Sequence, residues 1–138
     1  MNREELMEIL PHRGRMLLLD TAERQEEWAV GTYTVRGDEF FLDGHFPGNP
    51  VVPGVILCEI LAQSACVLLK GKEEAGRLPV YTGLDRVRFR SPVRPGDRVE
   101  ARCRIKKARY PFFFAEGTIT VEGRLCVSAE FSFAMEHI

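Results

Sequence analysis

Residues 51–69 read VVPGVILCEILAQSACVLL and form the most apolar stretch of the 138-residue chain. Pro53 and Gly54 favour a helix that begins near the start of this stretch, because proline is common in the first turn of helices. The length approaches that of a membrane span, but Glu59 and Gln63 lie in its middle, where a carboxylate at bilayer depth would be costly. The sequence therefore predicts a helix buried inside a soluble protein.

This helix is apolar on nearly every face up to Lys70, where Gly71 is expected to end it. Since a helix without a polar face must be enclosed on most sides, the rest of the chain has to surround it. Apart from a short helix over residues 3–10, capped by Asn2 and Glu5, that rest is typical of strands and turns. The predicted strands are 16–20, 28–35, 80–89, 99–109, 112–121 and 124–135. We expect an α+β fold, a curved antiparallel sheet of five or six strands wrapped around one long central helix, with help from a second subunit.

Length and composition indicate one globular domain over residues 1–138. A domain takes about 150 residues, which leaves no room for a second one. Hydrophobic residues at 45% and charged residues at 28% exclude disordered and fibrous classes, and the formal charge of −1 excludes a chain that is basic overall. The four cysteines show no CxxC spacing and the three histidines are scattered, so we expect no metal site and four reduced thiols in a cytoplasmic protein. The start, MNREELMEIL, lacks the pattern of a signal peptide.

Glu59 is the first candidate for chemistry. It lies about five residues into the buried helix, about 8 Å along the axis from its start. Because an isolated buried charge is prohibitively costly, this carboxyl group must be neutral, paired or hydrogen-bonded. Two interpretations stay open: a proton donor near neutral pH, or a structural residue bonded to the backbone or to Gln63 one turn later.

His45 and the helix start are the next candidates. His45 lies in a loop dense in glycine and proline, DGHFPGNPVVPG over residues 43–54, which can hold an imidazole in one place. At the end of this loop, the free N–H groups at Gly54 could polarise a carbonyl oxygen. The competing interpretations are that His45 is an ordinary loop histidine and that the Pro-Gly pair only marks the boundary of the helix.

A basic segment follows the predicted helix. Residues 77–109 contain eleven Lys or Arg against three acidic residues, although the chain as a whole is slightly acidic. Such a segment is either a solvated strand face or a surface for an acidic partner. Only the positive charge of this segment favours nucleic-acid binding, and no nucleic-acid-binding motif accompanies it.

Five stretches of the chain match a known family in order. They are LPHR at 10–13, GHFPGNPVVPGV at 44–55, EILAQ at 59–63, FRSPVRPGD at 89–97, and VEG at 121–123 with AE at 129–130. Together they closely resemble the (3R)-hydroxyacyl-acyl-carrier-protein dehydratases of the FabZ type, which act in fatty-acid synthesis. One departure is Gly14-Arg15-Met16, where the family usually has an aromatic residue and a proline.

The resemblance implies a hot dog fold, assembled as homodimers and commonly as hexamers of three dimers, with active sites at the dimer interface. It implies dehydration of the thioester by catalytic His45 and Glu59 from opposite subunits, without a metal or other cofactor. The remaining implied site residues bind substrate or the thioester oxygen: Phe46, Gly54, Val55 and Gln63. The implied contacts with the acidic acyl carrier protein are Arg86, Arg88, Arg90 and Arg94.

Two other functions fit the same pattern. A hot dog acyl-thioesterase would also use a helix carboxylate, but would activate water against the carbonyl carbon. A non-catalytic subunit that binds the acyl carrier would keep the fold for assembly. Intact His45 and Glu59 favour dehydration over both, and Glu59 argues against the related dehydratase-isomerases, which typically carry Asp.

Overall fold

The computed structural model describes residues 1–70 and 76–137 of the chain. Its two α-helices are α1 (Arg3–Leu6) and α2 (Gly54–Ala65). Its six strands are β1 (Thr21–Gln25), β2 (Trp28–Thr34), β3 (Arg77–Phe89), β4 (Arg98–Arg109), β5 (Phe112–Val121) and β6 (Arg124–His137). Three short 3₁₀ segments complete the list: Gly14–Met16, Phe40–Leu42 and Cys66–Leu69.

The six strands form one antiparallel sheet in the order β1-β2-β4-β5-β6-β3. Its register shifts twice between β3 and β6, once between β4 and β5 and once between β5 and β6, and irregularities of this kind bend a strand and increase its twist. The bent sheet packs around α2, which contacts β2, β4, β5 and β6. The expected α+β hot dog architecture is confirmed, with six strands.

The helix approaches the sheet closely because two glycines lie beneath it. A Cβ atom at Gly31 on β2 would clash with Ser64 of α2 and lie 2.9 Å from Cδ2 of Leu19. A Cβ atom at Gly117 on β5 would lie 2.9 Å from Cδ2 of Leu61, also on α2. Close packing buries the apolar side of the helix, as expected from its composition; its fully enclosed side chains include Leu57, Ile60, Leu61 and Ala65.

The predicted strand at 16–20 is wrong. Residues Gly14–Met16 form a 3₁₀ turn, and the strand that pairs with β2 is the later segment Thr21–Gln25. The reason lies in side chains that bind the backbone here: Gln63 accepts from the Leu18 N–H, and Arg3 donates to the carbonyl oxygens of Leu17 and Leu19. A backbone satisfied in this way needs no neighbouring strand.

The other predicted elements hold, with shifted ends. Asn2 and Glu5 form the expected capping box, although α1 ends at Leu6. The central helix changes from α to 3₁₀ geometry after Ala65, and Gly71, its expected end, lies outside the described residues. The four later strands match their predicted positions to within three residues.

The cysteines are buried and free, as expected. Burial raises the pKa of the Cys66 and Cys103 thiols to about 12. Within residues 1–70 and 76–137, no three His, Cys, Asp or Glu side chains cluster as metal ligands. In the same ranges, every helix is too short or too polar to span a bilayer.

Candidate active site

The loop before α2 fixes the imidazole of His45. The His45 carbonyl accepts a hydrogen bond from the Val51 N–H at 2.9 Å, and Nδ1 of His45 lies 3.0 Å from the carbonyl oxygen of Val51. A carbonyl oxygen only accepts, so Nδ1 carries a proton, and in the matching neutral tautomer the lone pair is on Nε2. Phe46 stacks on the imidazole, with ring centroids 4.3 Å apart. The geometry suits a general base.

His45 lines a cavity of about 500 Å³ beside the start of α2. The cavity is mainly apolar, and its other walls include Gly54, Val55, Leu57, Phe89 and Arg90. Gly54 is the first residue of the helix, so its N–H has no carbonyl partner within the helix. The positive end of the helix dipole and the imidazole therefore meet at one cavity.

Glu59 belongs to a different cluster of the same chain. Its Oε2 accepts a hydrogen bond from Nε2 of Gln63 at 2.9 Å and lies 3.3 Å from Nε2 of His12. Gln63 is 1% exposed. Its side-chain oxygen accepts a hydrogen bond from the Leu18 N–H, and its Nε2 also donates to the Met16 carbonyl oxygen. Gln63 thus binds Glu59 and the backbone.

The two proposed catalytic residues do not meet within one chain. Among the residues that the structure describes, no hydrogen bond or ion pair joins His45 to Glu59, and Glu59 is not part of the wall that His45 shares with Gly54. The rim near His45 is exposed and apolar: Phe46, Val55 and Phe89 are 55%, 67% and 58% exposed. A surface of this kind is typical of an interface.

The basic segment divides into two parts. All four arginines expected to contact a carrier are exposed: Arg86, Arg88, Arg90 and Arg94. Arg86 lies 3.7 Å from Glu130 on the solvent face of the sheet, away from the cavity. Arg90 lines the cavity, and Arg94 donates to the Asn49 side chain in the loop after His45. Of the four arginines, Arg90 is the one that lines the cavity.

His12 is the contact of Glu59 that sequence reasoning did not single out. It appeared only within the LPHR stretch, with no chemistry attached to it. The partner residue is 47 positions further along the chain, so spacing could not link the two. The sequence feature that could have indicated His12 was its position beside Arg13 in the LPHR stretch, which the chain shares with the dehydratase family that it resembles.

The bent six-stranded sheet around one helix places the protein in the hot dog class. Its fold is similar to the dehydratase heterocomplex ApeI:P from Xenorhabdus doucetiae, with a TM-score of 0.81, 22% identity, and coverage of 96% of this chain and 91% of that one. The fluoroacetyl-CoA thioesterase FlK is also similar, with a TM-score of 0.69, 14% identity, and coverage of 85% and 90%. Both likenesses concern the fold alone.

Sequence comparison is more specific. The model of the FabA-like domain family matches residues 10–130. A 3-hydroxyacyl-[acyl-carrier-protein] dehydratase FabZ of Clostridium perfringens (strain SM101 / Type A) is 43% identical over 137 residues, which are 98% of this chain and 99% of that protein. The chain belongs to the FabA-like family and, within it, to the FabZ-type dehydratases.

Proposed function

We propose that this chain, as a single domain over residues 1–138, catalyses the dehydration of (3R)-3-hydroxyacyl thioesters of acyl carrier protein in fatty-acid synthesis. The product is the trans-2-enoyl thioester. The observation that carries the proposal is the cavity where His45, with Nε2 available as a base, meets the unpaired N–H at the start of α2. Membership of the dehydratase family supports the choice of reaction.

His45 starts the reaction by taking a proton from C2 of the acyl chain. The electron pair of that C–H bond becomes the C2=C3 double bond as the C3–O bond breaks. The oxygen leaves as water with a proton from the carboxyl group of Glu59. Protonated His45 and ionised Glu59 then exchange protons with water and return to their starting states.

Gly54 stabilises the charge that develops on the thioester oxygen. Its N–H is unpaired within the helix and lies at the positive end of α2. A fixed donor of this kind is typically worth about 3–4 kcal/mol in the transition state. Val55 and Phe46, exposed at the same rim, are proposed to contact the substrate or the second subunit.

The active unit is a homodimer in which His45 of one subunit faces Glu59 of the other. The separation of the two residues within one chain and the exposed apolar rim support this arrangement. Three such dimers would form the hexamer that the family resemblance implies.

The acidic carrier protein docks beside the cavity. Arg90 lines it, Arg94 donates to the Asn49 side chain in the loop after His45, and Arg88 is exposed on the same strand as Phe89. Arg86 contributes less, because Glu130 already partly neutralises it. Basic side chains at the rim attract an acidic partner and raise the rate of encounter.

The proposal is tested by following the absorbance of the conjugated enoyl product from a (3R)-3-hydroxyacyl carrier substrate. Wild type should form the product, and Glu59→Gln and His45→Ala should each lower kcat by about 10²- to 10⁴-fold, the usual contribution of an acid or base. Glu8→Gln, an exposed carboxylate on the short N-terminal segment, is the matched control and should match wild type.

A parallel assay for free carrier thiol separates the competing enzyme class. A thioesterase would release thiol without enoyl product, and this result would reject dehydration. Neither enoyl product nor free thiol from the wild type would instead favour a non-catalytic subunit, and a wild-type rate in His45→Ala would reject His45 as the base.

A further inference from the structure

Glu59 has a neighbour in its own chain that the proposed reaction does not use. Nε2 of His12 lies 3.3 Å from Oε2 of Glu59, in a cluster where the two side chains are 22% and 23% exposed. The same Oε2 accepts the hydrogen bond from Gln63. Within residues 1–70 and 76–137, the other oxygen, Oε1, accepts no hydrogen bond. The two carboxyl oxygens are therefore in different environments.

The backbone around His12 is tied down by the residue that follows it. The guanidinium group of Arg13 donates to the carbonyl oxygens of Met7, Leu10 and His12, at 2.9, 2.7 and 2.8 Å. Leu10 is 2% exposed and anchors the segment in the core. An imidazole on a segment held in this way has a defined position next to the helix.

The second ring nitrogen of His12 indicates how the ring is protonated. Nδ1 is buried and has no hydrogen-bond partner in the described part of the chain. A buried N–H without an acceptor is more costly than a bare lone pair, so the proton belongs on Nε2. Nε2 then donates to Oε2 of Glu59, and the buried Nδ1 is not available to a substrate.

We propose that His12 is a positioning residue for the catalytic acid. By donating to Oε2 together with Gln63, His12 leaves Oε1 as the oxygen that carries the proton of the acid form. Oε1 is then the atom that delivers this proton to the departing hydroxyl group, while His12 keeps its own proton throughout. This inference rests on the proposed role of Glu59.

Three single variants measure the contribution. His12→Phe keeps a flat ring but removes the donor, and a hydrogen bond to a charged group is worth about 10- to 100-fold in kcat. The KM should change by less than about twofold, because His12 does not bind the substrate. His12→Gln, which can place an N–H near the position of Nε2, should recover kcat to within about fivefold of wild type. His137→Gln replaces an exposed histidine bonded to Gly76 and should match wild type.

The His12→Phe change is then repeated in the Glu59→Gln background. A residue that acts through Glu59 should cost nothing further there, so kcat of the double variant should equal that of Glu59→Gln. The same fold-loss in both backgrounds would assign His12 a purely structural role and overturn the inference. Wild-type kcat in His12→Phe, with Glu59→Gln inactive, would overturn it while leaving the proposed function intact. Full activity of Glu59→Gln would reject both.

A measurement on the wild-type protein covers the case in which the variants fail to fold. A long-range proton–nitrogen NMR spectrum of its three imidazoles reports the tautomer of each. We expect the proton of His12 on Nε2 at neutral pH. A proton on Nδ1 would leave Nε2 unable to donate to Glu59 and would overturn the inference.

Discussion

The ring of Phe89 lies directly against Gly54, where the first N–H of α2 meets the cavity of His45. A Cβ atom at Gly54 would lie 2.8 Å from both Cδ1 and Cζ of Phe89, closer than real Cβ atoms approach. Phe89 is nevertheless 58% exposed, so its ring has room to move. The contact makes position 54 sensitive to a single added methyl group without making it essential for folding.

Gly54→Ala should therefore lower kcat by about 10²-fold, the typical loss when one oxyanion donor is impaired. The methyl group would displace Phe89 and crowd the approach of the thioester oxygen to the N–H. Alanine favours helices more than glycine does, so the melting temperature should not fall. The double variant Gly54→Ala/Phe89→Ala removes the clash but keeps the methyl group. Recovery of wild-type kcat there would assign the loss to Phe89 rather than to the blocked donor.

Arg90 and Arg86 serve as the test position and its matched control for the carrier interaction. Arg90→Gln should raise the KM for the acyl-carrier substrate by about fivefold at low salt, the scale of one exposed charge pair. Arg86→Gln should have little effect, since Arg86 lies on the solvent face of the sheet beside Glu130. The difference should shrink at 1 M salt, where charges are screened within about 3 Å. Equal effects of the two variants, or a salt-independent one, would contradict the proposed docking surface.

Glu39 should make the stability of the folded protein depend on pH in the acid range. Partial burial acts to raise its pKa, but the backbone N–H groups of Arg36 and Gly37 and the hydroxyl of Tyr33 all donate to the carboxylate and hold the pKa below its usual value. A lowered folded-state pKa stabilises the protein above the unfolded-state pKa, and this stability is lost as the pH falls through the folded-state value.

The melting temperature of wild type should accordingly fall more steeply than that of Glu39→Gln as the pH decreases through the carboxylate range. Thermal scans by circular dichroism at several pH values measure this difference. Glu8→Gln serves as the exposed control and should follow wild type. Parallel curves for wild type and Glu39→Gln would show that these hydrogen bonds do not favour the charged form.

Patterns local in sequence predicted most of the fold. Strands β4, β5 and β6 largely alternate buried residues with more exposed ones and are joined by recognisable turns, so their positions were predictable. The conformation of residues 16–20, before β1, was not predictable, because their backbone is bound by the side chains of Arg3 and of Gln63, which is distant in sequence. The contact between His12 and Glu59 could not be predicted from the sequence for the same reason, because it depends on tertiary packing.

The relation between His45 and Glu59 is a different case. Both were singled out from the sequence, but spacing could not say whether they belong to one site. A single chain holds them in separate environments, beside Gly54 and beside Gln63 respectively. The missing information is the arrangement of two copies, which neither local pattern nor one chain's packing contains.

Co-expression of His45→Ala and Glu59→Gln subunits tests that arrangement most directly. Each variant by itself should be inactive, but in a mixed dimer one site combines the intact Glu59 of one subunit with the intact His45 of the other. Random pairing makes half of the dimers mixed, so activity should return to about a quarter of the wild-type value. Activity that stays at the level of the separate variants, in a sample shown to contain mixed dimers, would contradict a site shared between subunits.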